Sequence, residues 1–192
     1  MLFRSVIKQR AGGGDNGFEL SSVTGVTPAT NPTIANFTLV GSRTNAWRIN
    51  TGFIGRFING VVDYTGNCFR WESSAGNGTP ATYDGVNVDP TFNSVLFDCS
   101  GQLTNSAPDT PAAVQAIAAD PNNVIGDSSL AANYLPGPNE EAVTPFVLSS
   151  LGGAASVFFD DVDYIGAFAP GESETNNWAT GWTIGLFPAP PC

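Results

Sequence analysis

Two short patterns alternate along the first hundred residues, and their alternation limits what this chain can fold into more than any other feature. The first reads Asn, any residue, aromatic, charged, apolar: Asn16-Gly17-Phe18-Glu19-Leu20, Asn45-Ala46-Trp47-Arg48-Ile49 and Asn67-Cys68-Phe69-Arg70-Trp71. Its aromatic recurs at 18, 47 and 69, intervals of 29 and 22. The second is an apolar residue, Asn or Ser two positions later, then a mostly apolar run. It appears as Thr33-Ile34-Ala35-Asn36-Phe37-Thr38-Leu39, Arg56-Phe57-Ile58-Asn59-Gly60-Val61-Val62 and Thr91-Phe92-Asn93-Ser94-Val95-Leu96-Phe97. Its apolar residue recurs at 34, 57 and 92, intervals of 23 and 35.

Repeats of this length, with lengthening confined to the turns, suit a solenoid, because each turn buries its inner face only against its neighbours. The spacing predicts an all-β, right-handed parallel β-helix in which one pattern supplies one face and the other a second, with rungs ~4.8 Å apart. Alternation then sends Phe18, Trp47 and Phe69 inward with Leu20, Ile49 and Trp71, and sends Glu19, Arg48 and Arg70 outward. Asn36, Asn59 and Ser94 interrupt the alternation, where a left-handed bend suits Asn and stacked side chains can form a ladder. A β-sandwich is the alternative, since 22 Gly and 14 Pro in 192 residues supply the frequent turns that fold needs.

The expected division is rungs over residues 1–108, a short helix with a long loop over 109–155, and a C-terminal β cap over 156–192. The helix is read from Ala112 to Ala119, with Thr110 as N-cap and Pro111 at its first position, and breaks at Asp120-Pro121. Pro136-Gly137-Pro138 marks a turn. Phe158, Phe159, Tyr164, Ile165, Phe168, Trp178 and Trp182 are expected to cover the last rung, because an open solenoid end exposes apolar surface and unpaired strand edges.

Charge narrows the partners. Residues 1–70 carry all seven basic side chains against three acids, whereas residues 71–192 carry fourteen acids and no base, for a net charge of −10. A field of that sign opposes nucleic acid and anionic lipid, both of which require Lys and Arg to replace counterions. No apolar run approaches the ~18–20 residues of a membrane span, so insertion is not expected. There is no His, which removes His-based triads, Cys-His dyads and the commonest transition-metal sites.

Of the three cysteines, Cys68 and Cys99 are the preferred disulfide. Closing that loop of about 32 residues stabilises the fold by roughly 3–4 kcal/mol in the chain-entropy model. Cys192 is left with three options: free, the true partner of one of the others, or a cross-link between chains. Residues Met1 to Lys8 form no signal peptide, because the apolar stretch is short and interrupted by charge. Disulfide-type cysteines without an export signal lead to the expectation that the chain is part of something longer. The sequons Asn36-Phe37-Thr38 and Asn77-Gly78-Thr79 are short enough to arise by chance and carry no weight.

The stretches Asp15-Asn16-Gly17-Phe18-Glu19, Asn36-Phe37-Thr38-Leu39-Val40-Gly41, Phe158 through Phe168, and Asn177-Trp178-Ala179-Thr180-Gly181-Trp182-Thr183 together resemble the C-terminal portion of large secreted bacterial proteins of right-handed β-helix type. The resemblance covers about two thirds of the chain. Its specific part is the Tyr-Ile-Gly-Ala-Phe to Trp-x-x-Gly-Trp-Thr tail. It implies the fold and an extracellular or cell-surface setting, and it carries over no catalytic residue.

Candidate sites are few. Asp160, Asp161 and Asp163 offer three hard-oxygen carboxylates, a calcium option set against a solvated acidic turn, and without the Gly and Glu of an EF-hand. No other cofactor is suggested. Glu19, Arg48 and Arg70 should stack outward, either as a surface ion pair or, through the two arginines, as a grip on a carboxylate or sulfate of a glycan. Tyr83 or Tyr134 could stack on sugar rings or anchor a loop. The preferred expectation is a non-catalytic structural, adhesive or glycan-binding module. The alternatives are a polysaccharide lyase or glycoside hydrolase working on the flank, and a homo-oligomer stacked end to end through an open N-terminal rung.

Overall fold

The computed structural model describes residues 4–10, 12–22, 28–50, 52–71, 89–104, 110–181, 183, 186 and 187. Among the described residues eight strands form two sheets. β1 (Ser5–Lys8), β3 (Thr33–Gly41), β5 (Arg56–Tyr64), β7 (Thr91–Cys99) and β8 (Val124–Ile125) make a five-stranded sheet in that spatial order. β2 (Asn16–Leu20), β4 (Asn45–Ile49) and β6 (Asn67–Trp71) make a three-stranded one. Up to β7 the chain alternates between the sheets, and all the strand pairs are parallel. The expectation of an all-β chain with parallel pairing therefore stands, and it departs from the antiparallel sheets of the sandwich alternative.

The two sequence patterns are the two sheets. In the smaller one Phe18 pairs with Trp47 and Trp47 with Phe69, while Leu20, Ile49 and Trp71 pair two positions on. An isolated parallel bridge from Phe69 to Thr104 extends the series by one position. In the larger one Phe57 pairs with Ile34 and Phe92, and Val62 pairs with Leu39 and Phe97. These inward residues fill a common core, in which the Phe18, Trp47 and Phe69 rings stack at 5.9 Å and 5.3 Å between centroids.

Side chains link neighbouring strands at the bends and at the strand ends. Asn36, Asn59 and Ser94 adopt φ of 54°, 53° and 53°. Asn59 Nδ2 donates to Asn36 Oδ1 at 3.4 Å, while the Ser94 hydroxyl has no hydrogen-bond partner among the described residues, so the expected ladder does not extend to it. One left-handed residue per strand absorbs the extra position between two inward side chains, so Ile34 and Phe37 both reach the core although they are three apart. At the start of the smaller sheet's strands, Asn45 donates to Asn16 at 2.8 Å and Asn67 to Asn45 at 3.5 Å.

Two stretches differ from expectation. β1 falls within the rung region expected over residues 1–108, whereas β8 lies within the stretch read as loop. α1 (Thr110–Ala118) matches the predicted helix, although the Thr110 and Pro111 side chains fall outside the described set. The terminal segment differs most from the β cap expected over the last rung. Between residues 155 and 187 the described residues hold a four-residue helix, Ala155–Phe158, and one isolated bridge, Ser173 to Asn176. They lie on the outer face of the larger sheet, where Ile165 packs with Val61, Leu96 and Val143, and Phe159 with Ala35, Ile58 and Leu148. That outer face is itself apolar, and a parallel sheet with two apolar faces needs cover on both.

Candidate functional site

The register fixes the outward column. Glu19 pairs with Arg48 and Arg48 with Arg70 on successive strands. Arg48 Nη1 lies 2.6 Å from Glu19 Oε1, with the two side chains 25% and 53% exposed. At that exposure an ion pair stabilises by less than ~1 kcal/mol. The other Glu19 oxygen accepts from Asn16 Nδ2 at 3.4 Å, so the Asn ladder orients the carboxylate toward Arg48. The column is an ordered, charged flank rather than a bare pair of cations.

The acidic turn has a structural role. Asp161 accepts from the Ser149 N–H at 2.8 Å and the Ser149 hydroxyl at 2.7 Å, beside the 3₁₀ turn Leu148–Leu151. These bonds, the hydroxyl's first, hold its carboxyl below the usual carboxylate range. Among the described residues no group of three or more Asp, Glu, Cys or His is arranged to hold a metal.

Cys68 and Cys99 are joined, tying β6 to the end of β7 and so one sheet to the other. Asn36 is fully buried, which closes the first sequon to a glycan in the folded chain. Tyr83, Trp182, Cys192 and the second sequon lie outside the described residues.

A second acidic group was not read from sequence. Asp63 and Asp98 are register neighbours on the outer face of the larger sheet. Burial, then the Asp98 charge, raises Asp63 above the usual carboxylate range; a Ser128 hydrogen bond opposes this and Glu140 adds to it. Glu140 is buried and accepts from the Ser129 N–H and hydroxyl and from the Gly137 N–H, at 2.8, 2.7 and 2.8 Å. Its work is to fold the Ser129–Gly137 loop back on itself.

That loop carries Tyr134 to a cleft of about 350 Å³ between β1 and the terminal segment, also lined by Val6, Lys8, Trp178, Thr183 and Leu186. Lys8 Nζ stands 5.4 Å from the Tyr134 ring centroid. Trp178 does not cover a last rung: its Nε1 donates to the Ala167 carbonyl at 2.7 Å, and its ring stacks on Phe168 at 5.5 Å. Sequence reasoning found Tyr134 as a sugar-stacking candidate but not its neighbours, which come from two distant stretches of the chain, Val6 and Lys8 before it and Trp178, Thr183 and Leu186 after it.

Comparison with protein-family models, curated proteins and solved structures finds no match to this chain. Among the described residues no helix is long and apolar enough to cross a membrane.

Proposed function

We propose that the two parallel sheets are successive faces of a right-handed parallel β-helix, and that the chain is a non-catalytic structural and adhesive module of a secreted or cell-surface protein, offering its charged flank to glycans. The observation that carries this reading is the register. Identical positions of each repeat stand side by side, aromatic inside and charged outside, at the ~4.8 Å spacing of adjacent strands. A stack of that kind is a rigid rod, and Glu19, Arg48 and Arg70 form a fixed line of charge along it. The Cys68–Cys99 disulfide favours an oxidising, extracellular setting.

The test is retention of the protein on immobilised acidic polysaccharide, with the eluate assayed for released sugar. Retention without product, reduced in Arg70→Ala, supports the module. Product formation favours a lyase or hydrolase instead, and the absence of retention by folded protein overturns the glycan-binding part. End-to-end association is a second reading, favoured by β1 and β2 being edge strands of their sheets. It requires a mass that rises with concentration in light scattering.

A further inference from the structure

We infer that the cleft beside β1 is a second binding site, specific for a carboxylate-bearing sugar ring such as a uronic acid. It is separate from the charged flank and does not depend on the β-helix reading. Its volume of about 350 Å³ sits at the small end of the ~300–1000 Å³ range of ligand clefts, which suits one terminal ring and not a long chain.

The lining divides by chemistry. Val6 and Leu186 supply apolar wall, Tyr134 and Trp178 supply aromatic rings, and Lys8 and Thr183 supply polar groups. Aromatic rings receive the C–H faces of a pyranose, since such a face is apolar while its hydroxyls point to the rim. Trp178 is fixed for this by its bond to the Ala167 carbonyl and its stack on Phe168. Thr183 donates to the Ala179 carbonyl at 2.9 Å, which leaves its hydroxyl oxygen to accept from a sugar hydroxyl.

Two observations point to a ligand rather than to ordinary packing. Tyr134 is held at φ of 67°, a left-handed backbone that a bulky side chain rarely adopts. The Tyr134 N–H bond to the Ala131 carbonyl at 2.8 Å, and the Ala131 N–H bond to the Leu135 carbonyl at 3.0 Å, keep it there. Strain of this kind is retained where the surrounding structure fixes a side chain for use. Lys8, on a chain of net charge −10, sits over the Tyr134 ring and has no carboxylate partner among the described residues. An exposed ammonium beside the Tyr134 ring selects a ligand that brings its own negative charge, and on a uronic acid that charge is the C6 carboxylate.

The test is an NMR titration of ¹⁵N-labelled protein with a galacturonic-acid trisaccharide and, separately, with its neutral galactose counterpart. The acidic sugar is expected to bind about tenfold or more tighter, shifting the Lys8 and Tyr134 amides and the Trp178 indole, as a charge-assisted contact implies. Lys8→Gln should abolish the preference. Tyr134→Asn, which suits the left-handed backbone but lacks the ring, should weaken both sugars, with folding checked by near-ultraviolet dichroism. Equal binding of the two sugars, a preference that survives Lys8→Gln, or no saturable binding by the folded protein would each overturn the proposal. Arg70→Ala should leave this titration unchanged, so failure here and failure of the flank are read separately.

Discussion

Trp47 is where the two sheets meet. It is fully buried, with ring centroids 5.3 Å from Phe69 and from Phe92, 5.6 Å from Phe57 and 5.9 Å from Phe18. Its indole Nε1 has no hydrogen-bond partner. The rings, not the polar atom, account for its place. Trp47→Ala should therefore cost about 3–5 kcal/mol by opening a cavity. Trp47→Phe should cost much less, because the smaller ring also removes an unsatisfied buried donor. Chemical denaturation of the two variants checks the contrast, and equal losses would contradict it. Gly60 is the converse case: a Cβ there would collide with the Phe37 ring on the neighbouring strand. Gly60→Ala should destabilise by about 1–3 kcal/mol through overpacking, read from the same denaturation midpoints. Phe18, Trp47 and Phe69 were legible in the sequence because one aromatic per repeat is a periodic signal. Gly60 was not, since glycine at one repeat is matched by Phe37 and Val95 at the others.

At the scale of elements, Asn59 joins the repeat to its cover. Its Nδ2 donates to the Phe146 carbonyl at 3.0 Å, and its Oδ1 accepts from the Phe146 N–H at 2.7 Å. The side chain thus imitates a strand backbone and pins residues 143–168 against β5. Asn59→Gly keeps the left-handed backbone but loses both bonds; Asn59→Ala loses them and adds strain. Hydrogen exchange at the Phe146 amide should accelerate in both, while global stability falls further in Asn59→Ala. Asn123 plays a similar part beyond β7, accepting from the Val95 N–H at 3.0 Å and donating to the Phe92 carbonyl at 2.8 Å. The patterned strands β2 to β7 could be read from sequence because each repeats its neighbour. β1 and β8 have four and two residues and carry neither the Asn nor the aromatic signature, so propensity could not mark them. The cleft was hidden for a different reason: it assembles from β1, the loop at Tyr134 and the tail, and no local pattern encodes their meeting.

Acidic residues act across the whole molecule through pH. Asp63 has its pKa raised in the folded chain, so folding binds its proton more tightly than the unfolded chain does. The stability tied to that proton is fully present below the ordinary aspartate range and is lost as pH rises through the raised value. Near neutrality the charged Asp63, beside Asp98, opposes folding. Asp63→Asn should accordingly melt higher than the parent at pH 7, with the gap closing as pH falls below about 4, the range where both carboxylate forms protonate. Asp161 runs the other way: its lowered pKa contributes stability that is lost on acidification. The parent curve mixes the two, and only the difference between Asp63→Asn and parent isolates the first. A parent that melts higher than Asp63→Asn at pH 7 would show that the Asp63 carboxylate is stabilised by groups its burial conceals.

Cooperativity decides whether the stacked strands behave as separable repeats or as one body. In a bare stack each repeat touches only its neighbours, and ends can fray while the centre holds. Here the segment after β7 reaches across the outer face. Glu172 pairs with Arg4 at 2.6 Å, the Ala167 N–H donates to Thr38 at 3.0 Å, the Gly166 N–H donates to the Asn59 carbonyl at 2.9 Å, and Ile165 packs on Leu96. One segment thus contacts β1 or the residue before it, β3, β5 and β7. The disulfide ties the second sheet to the same strand β7. Thermal unfolding should then be a single transition by near- and far-ultraviolet dichroism alike. Reducing Cys68–Cys99 should lower stability by about 3–4 kcal/mol without splitting it, because the chain-entropy term acts on the unfolded state and leaves the strap in place. Two separated transitions in the oxidised protein would mean that the strap and the sheets are energetically independent, and that the outer-face contacts contribute little to holding the stack together.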